Sequence, residues 1–373
     1  VTTGQNELMD EPLDTAPSDA VPTRTRVRRI VVRAIVSLAT LIFSGLLVSR
    51  IFDEFSLSDV LDAIGALTGV ERLSLASAWV IFMSCQGLMT SALLPGLPVR
   101  RGVIAYLGPA AVSSAVPGPS DLPVRYAMFT SWGLEPRAAQ LAVGSNGIFS
   151  IGTKLVLPVL AGAVLIITPI PIEGVTQTIV KVSIVIGVGL AVAVLVFGSE
   201  RRTAAAGRLA TTVWRIGLRI LRREPGESEL ADRLVTIRAD ALTVVRNRWQ
   251  IATWAAFLVS ATKFVLLLMS LRFVGVSEST VPWFALFVVY AVVEGLSAVP
   301  ITAGNVGVAE IAYITMLTSV AGGSEVNLIT SGVLVFRILT WLVLIPAGLV
   351  CIGIWRHGVR RSGRTTESSD VST

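Results

Sequence analysis

Apolar runs approaching the length of a membrane crossing recur from one end of this chain to the other. They lie at about Val31–Val48, Leu75–Leu94, Ala138–Ile167, Val175–Phe197, Ile251–Leu271, Pro282–Val299 and Leu328–Ile354. A helix of about 20 such residues crosses the roughly 30 Å of bilayer hydrocarbon. The chain therefore reads as an all-α, polytopic membrane protein. Composition points the same way. Of 373 residues, 53% are hydrophobic and only 15% charged, against about 25% charged in a soluble domain. That excludes an ordinary soluble enzyme.

The net charge of +6 comes from 31 basic and 25 acidic residues, and the only lysines are Lys154, Lys181 and Lys263. In a membrane chain such an arginine bias reads as topology and anionic headgroups, not nucleic acid. Residues 1–23 carry five acids, three prolines and no basic residue, and read as a disordered acidic tail. Arg24, Arg26, Arg28 and Arg29 precede the first run and place the N-terminus in the cytoplasm. Arg50–Arg72 is acidic and reads as an extracytoplasmic loop; Arg100 and Arg101 mark the inside again. Glu200–Gln250 holds eleven arginines against six acids and reads as a cytoplasmic, amphipathic basic segment. Arg356, Arg360, Arg361 and Arg364 begin a basic and then polar tail over 356–373, also cytoplasmic. The transmembrane domain is thus 24–355. Two cytoplasmic termini require an even number of crossings, and eight are expected together with one re-entrant pair.

The pair is read at the first of two breaks, and the second, Pro300–Val320, is the best candidate for the eighth crossing. Val103–Val116 is too short to span comfortably and ends in Pro117-Gly118-Pro119-Ser120, after which a second short segment starts near Asp121. The other break is Pro300 to Gly307, with a helix expected from Val308 to about Val320. Irregular backbone at membrane depth is tolerated only where it is buried in protein or lines a wet cavity. Ser114-Ala115-Val116-Pro117 recurs as Ser297-Ala298-Val299-Pro300, and Leu157-Pro158 through Gly162 is echoed at Ile345-Pro346-Ala347-Gly348. Two pseudo-repeated units are therefore expected. Paired broken segments point to a transport site; kinks that only pack helices are the competing reading.

Charges at membrane depth are costly and mark functional candidates. Asp121 and Arg125 are four apart and share a helix face, with Tyr126 beside them. A phosphate suits the helix start after the Pro-Gly break, with Arg125 as its bidentate donor; a mutually satisfied Asp–Arg pair is the plainer alternative. Lys154 lies deep in its run, preceded at helical spacing by Ser150 and Asn146. Lys263, Glu294, Asn305, Glu310 and Arg337 complete the candidates. Glu294 has two possible partners, Lys263 or Arg337, and Asn305 and Glu310 are expected to face a cavity. The balance is slightly cationic, which suits an anionic headgroup. Cys85 and Cys351 read as packing residues, and the single histidine, His357, sits in the basic tail. No metal cluster and no cofactor are expected.

Two stretches carry a family resemblance. One runs from Ala115 to Gly162, through Pro117-Gly118, Tyr126, Trp132-Gly133, Asn146, Lys154 and Pro158. The other runs from Ser297 to Gly348, through Pro300, Gly304, Gly307-Val308, Glu310, Arg337 and Pro346. Over roughly residues 30–355 the chain resembles the transmembrane flippase-like family, the membrane portion of lysylphosphatidylglycerol synthase and its stand-alone relatives, most of all the actinobacterial stand-alone branch. It departs at Thr302-Ala303-Gly304-Asn305, where the family usually has Pro-Gly-Gly, and at Pro119-Ser120-Asp121. The resemblance implies a plasma-membrane protein that translocates an anionic phospholipid or a polyprenyl-phosphate-linked glycan for envelope building, without a cofactor. It also implies a partnership with an envelope glycosyltransferase or synthase. Only 19 residues follow Ile354, so the lysyl-transfer activity is not expected here. The rival readings are a non-transporting scaffold for such an enzyme and an enzyme acting on a lipid-linked phosphate.

Overall fold

Helices form wherever the apolar runs meet start and stop signals. The computed structural model describes residues 65, 67–94, 96–115, 120–168, 176–197, 230–298 and 303–370, all within the unit Thr40–Thr373. The expectations for the acidic tail, for Val31–Val48, for most of Arg50–Arg72, for 200–229 and for the turns at 116–119 and 299–302 lie outside the described residues.

Helix α1, Gly69–Leu93, opens with a capping box. The Glu71 amide donates to the Thr68 hydroxyl at 3.3 Å, and the Thr68 amide donates to the Glu71 carboxylate at 2.7 Å. There follow α2 (Val99–Ala115), α3 (Asp121–Ser131), α4 (Pro136–Ile167), α5 (Thr176–Phe197), α6 (Leu230–Val274), α7 (Trp283–Leu296), α8 (Val308–Val320), α9 (Val326–Arg337) and α10 (Leu344–Asp370). Every described element is helical. Among the described residues four helical stretches are long and apolar enough to cross a bilayer: Gly69–Leu93, Pro136–Ile167, Arg248–Val274 and Val326–Val359. Ile179–Val192, Trp283–Leu296 and Val308–Val320 are shorter apolar helices.

The outward faces of these helices are apolar. Ile148, Ile151, Leu160 and Ile167 are exposed on α4, Val185 and Val188 on α5, and Trp254 and Phe257 on α6. A water-facing helix carries polar residues there, and apolar patches of this extent call for a partner or lipid. The protein is a multi-pass membrane helix bundle. Its main core joins Leu266, Leu267 and Leu271 of α6 to Leu286 and Val289 of α7, Leu317 of α8 and Phe336 of α9. Helix α2 is held closely on two sides. A Cβ on Gly102 would come within 2.6 Å of the Ser91 hydroxyl of α1, and one on Gly348 of α10 within 2.6 Å of Ala111. Small residues allow this approach where no hydrophobic force drives membrane helices together.

Three expected segments differ in detail. The short piece at Val103–Val116 is a 17-residue helix from Val99, carrying Pro109 within it. The span expected from Ile251 belongs to a 45-residue helix that starts at Leu230, because no Gly or Pro interrupts 230–274. The span expected from about Leu328 to Ile354 contains a π-helical segment, Ile338–Leu342, and its helix continues to Asp370. The wide turn frees carbonyls, and the Trp79 indole donates to that of Leu339 at 2.8 Å. The helix Val308–Val320 lies where the sequence puts it.

Candidate functional site

Pro158 positions the centre of the bundle. It lies inside α4 and has no amide hydrogen, so the Lys154 carbonyl loses its usual helical donor. Gly295 of α7 packs at this point: a Cβ there would strike the Pro158 ring and come within 3.3 Å of the Lys154 carbonyl. Glu294 is thereby carried to α4 and α6. Its carboxylate accepts a 2.6 Å hydrogen bond from the Lys263 ammonium, with both side chains largely buried. The Tyr313 hydroxyl reaches the same oxygen at 3.5 Å. Of the two partners open in the sequence, Glu294 takes Lys263.

A cavity of about 320 Å³ lies beside this pair. Asp121, Arg125, Asn146, Lys154, Lys263 and Glu294 all line it, joined by Gln86, Tyr106, Ser150, Tyr290 and Thr340. Arg125 is buried and pairs with Asp121 across one helical turn at 3.4 Å, while its Nε has no hydrogen-bond partner. The Lys154 ammonium donates to the Ser297 carbonyl at 3.1 Å, and among the described residues it forms no ion pair. Three cations thus face two carboxylates. One of those carboxylates, Glu294, is engaged directly by Lys263 and the other, Asp121, by Arg125; Lys154 shares the attraction of Glu294 at longer range, so the cations of the cavity outnumber its acids.

The remaining candidates sit elsewhere. Tyr126 packs with the cluster around Met128 and Phe129 and does not line the cavity. Glu310 and Arg337, expected to face a cavity or pair with Glu294, pair with each other at 2.5 Å, both largely buried. The second Glu310 oxygen accepts from the Gly307 amide at 2.7 Å, and Arg337 also donates to the Gly304 carbonyl at 3.2 Å. Together they clamp the start of α8 to α9. Asn305 does not line the cavity but shares an acceptor with Lys154: its amide donates to the Ser297 carbonyl at 3.1 Å. Sequence reasoning missed Tyr106 and Tyr290. The signal available was rarity, since the chain has four tyrosines and three of them meet the cavity or Glu294. Among the described residues no group of three or more His, Cys, Asp or Glu side chains is arranged to hold a metal.

A multi-pass helical bundle with a charged cavity between its helices defines a membrane protein built around a polar site. The family model described as the lysylphosphatidylglycerol synthase TM region matches residues 31–348. The chain belongs to that family. No curated protein matches it.

Proposed function

We propose that the chain is a flippase that moves an anionic lipid, or a polyprenyl-phosphate-linked sugar, between leaflets for cell-envelope construction. The carrying observation is that Arg125 and Lys154 line one cavity whose three cations outnumber its two carboxylates, with Lys154 in no direct ion pair among the described residues. A phosphate group between them accepts charge-assisted hydrogen bonds from both, and the amides at the start of α3 favour the same charge. Asn146, Lys263 and Glu294 border the headgroup, while Glu310, Arg337 and Asn305 hold the second break and Tyr126 supports α3. The acyl chains stay in lipid, and no covalent step is required. Membership of the lysylphosphatidylglycerol synthase TM-region family supports a lipid-handling role.

In this reading residues 24–355 form one transmembrane domain of about eight crossings in the plasma membrane. The basic segment 200–250 and both termini are cytoplasmic. The order of short helix, break, short helix and proline-containing long helix occurs at α2–α4 and again at α7–α10, which supports two repeated units with a re-entrant element. Headgroup translocation in proteoliposomes, run over a panel of phospholipids and polyprenyl-phosphate sugars, tests the proposal. Movement of at least one anionic substrate is expected. No movement across the panel, with stoichiometric binding of an envelope glycosyltransferase or synthase, would replace the flippase with a scaffold.

A further inference from the structure

We propose that the cleft where α2 begins, α3 ends and α10 passes is a second binding site, specific for the phosphate of an anionic lipid headgroup at the membrane surface. The cleft has a volume of about 210 Å³ and shares no lining residue with the larger cavity. Helix α3 separates the two. Asp121 at its start lines the cavity, whereas Ser131 and Trp132 at its end line the cleft; eleven helical residues span about 16 Å.

Arg100 and Arg101 supply the charge. Both are exposed, and among the described residues neither has a carboxylate partner. They stand in the first turn of α2, where the helix dipole favours acidic residues instead. Two guanidinium groups and a helix start therefore add positive potential, set against the weaker negative end of the α3 dipole at Ser131 and Trp132. The Arg101 guanidinium lies 5.5 Å from the centre of the Trp132 ring, which orients its planar face while leaving donors for a phosphate. Behind the lining residue Ser131, the Trp355 indole donates to its hydroxyl at 2.7 Å, fixing α10 against the end of α3.

The same geometry selects a lipid over a free ion. Trp132 and Trp355 are the residue type that settles at the level of the headgroups. Ile104, Ile354, Gly358 and Val359 complete the lining with an apolar surface suited to the glycerol and upper acyl carbons. Basic pockets between membrane helices at this level bind anionic headgroups. The site does not depend on transport through the larger cavity.

The full chain, purified and stripped of lipid in detergent, is titrated with phosphatidylglycerol, and bound lipids are counted by native mass spectrometry. The wild type is expected to hold one phosphatidylglycerol that an Arg100→Gln, Arg101→Gln double variant binds on the order of 30-fold more weakly. Lys154→Met, altered in the larger cavity, is expected to keep that lipid. Arg101→Lys, which retains charge but loses the planar fork, is expected to fall between the wild type and the double variant. The arginines are exposed, so thermal unfolding of all variants should be unchanged. Equal retention by the double variant, equal retention of phosphatidylcholine by the wild type, or displacement of the lipid by inorganic phosphate would each overturn the proposal.

Discussion

Lys154 and Lys263 lie in the same cavity lining but differ in what neutralises them. Lys263 has Glu294 at 2.6 Å, whereas Lys154 is hydrogen-bonded to a backbone carbonyl and feels Glu294 only at longer range. Removing one partner of a largely buried ion pair leaves the other charge uncompensated, a loss of about 3–5 kcal/mol. Lys263→Met is therefore expected to lower thermal stability sharply in detergent, and Glu294→Gln in the same chain to restore most of it. Equal destabilisation by the single and double variants would show that the pair is not the source. The charged members of the site were legible because an ion inside an apolar run is costly and stands out. Their pairing was not legible. Glu294 is 31 residues from Lys263 and 43 from Arg337, and only the packing of α7 on α4 and α6 chooses between them. Tyr106 and Tyr290 were missed because a tyrosine in an apolar helix resembles ordinary core.

Among the elements, the junction of α4 with α7 and the start of α8 fix the site. Gly295→Ala would drive a methyl group into the Pro158 ring and towards the Lys154 carbonyl; overpacking of this kind costs about 1–3 kcal/mol. It should lower the unfolding temperature and move Glu294 away from the cavity, whereas Gly353→Ala, with open space around it, should do neither. Gly304 has φ of +62° and lies against the Trp341 indole. Gly304→Ala therefore meets both backbone strain and a ring, and is expected to loosen the Arg337 contact, read as faster proteolysis near the second break. The α8 boundaries were readable because Gly307 and the apolar run after it punctuate the sequence. The π-helical segment was not, because Ile338–Leu342 holds no glycine or proline and its one hydroxyl, Thr340, is common inside ordinary helices; the wide turn is tied to Trp79, 260 residues away in sequence.

For the whole molecule, the arginine distribution predicts one orientation. The basic segment around Arg222 and both termini are expected to face the cytoplasm. In a Cys85→Ala, Cys351→Ala background, single cysteines introduced near Arg222 should resist an impermeant thiol reagent in intact cells and react after lysis. Rapid labelling in intact cells would reverse the orientation. Helical class and membrane character were legible from length and apolarity alone, since hydrocarbon thickness sets the run length. The crossing count was less so, because 14- to 17-residue helices such as α7 and α2 fall between a span and a half-span, and neighbours decide their depth.

The central claim is that the Lys154 ammonium helps to hold a phosphate on its way between leaflets. The most direct measurement compares the initial rate of headgroup translocation by the wild type and by Lys154→Met, reconstituted at equal density with the anionic lipid that the wild type moves. Loss of a hydrogen bond to a charged group predicts a rate lower by roughly 10- to 100-fold, with thermal unfolding unchanged because no carboxylate is left unpaired. Equal rates in the two proteins would contradict the account.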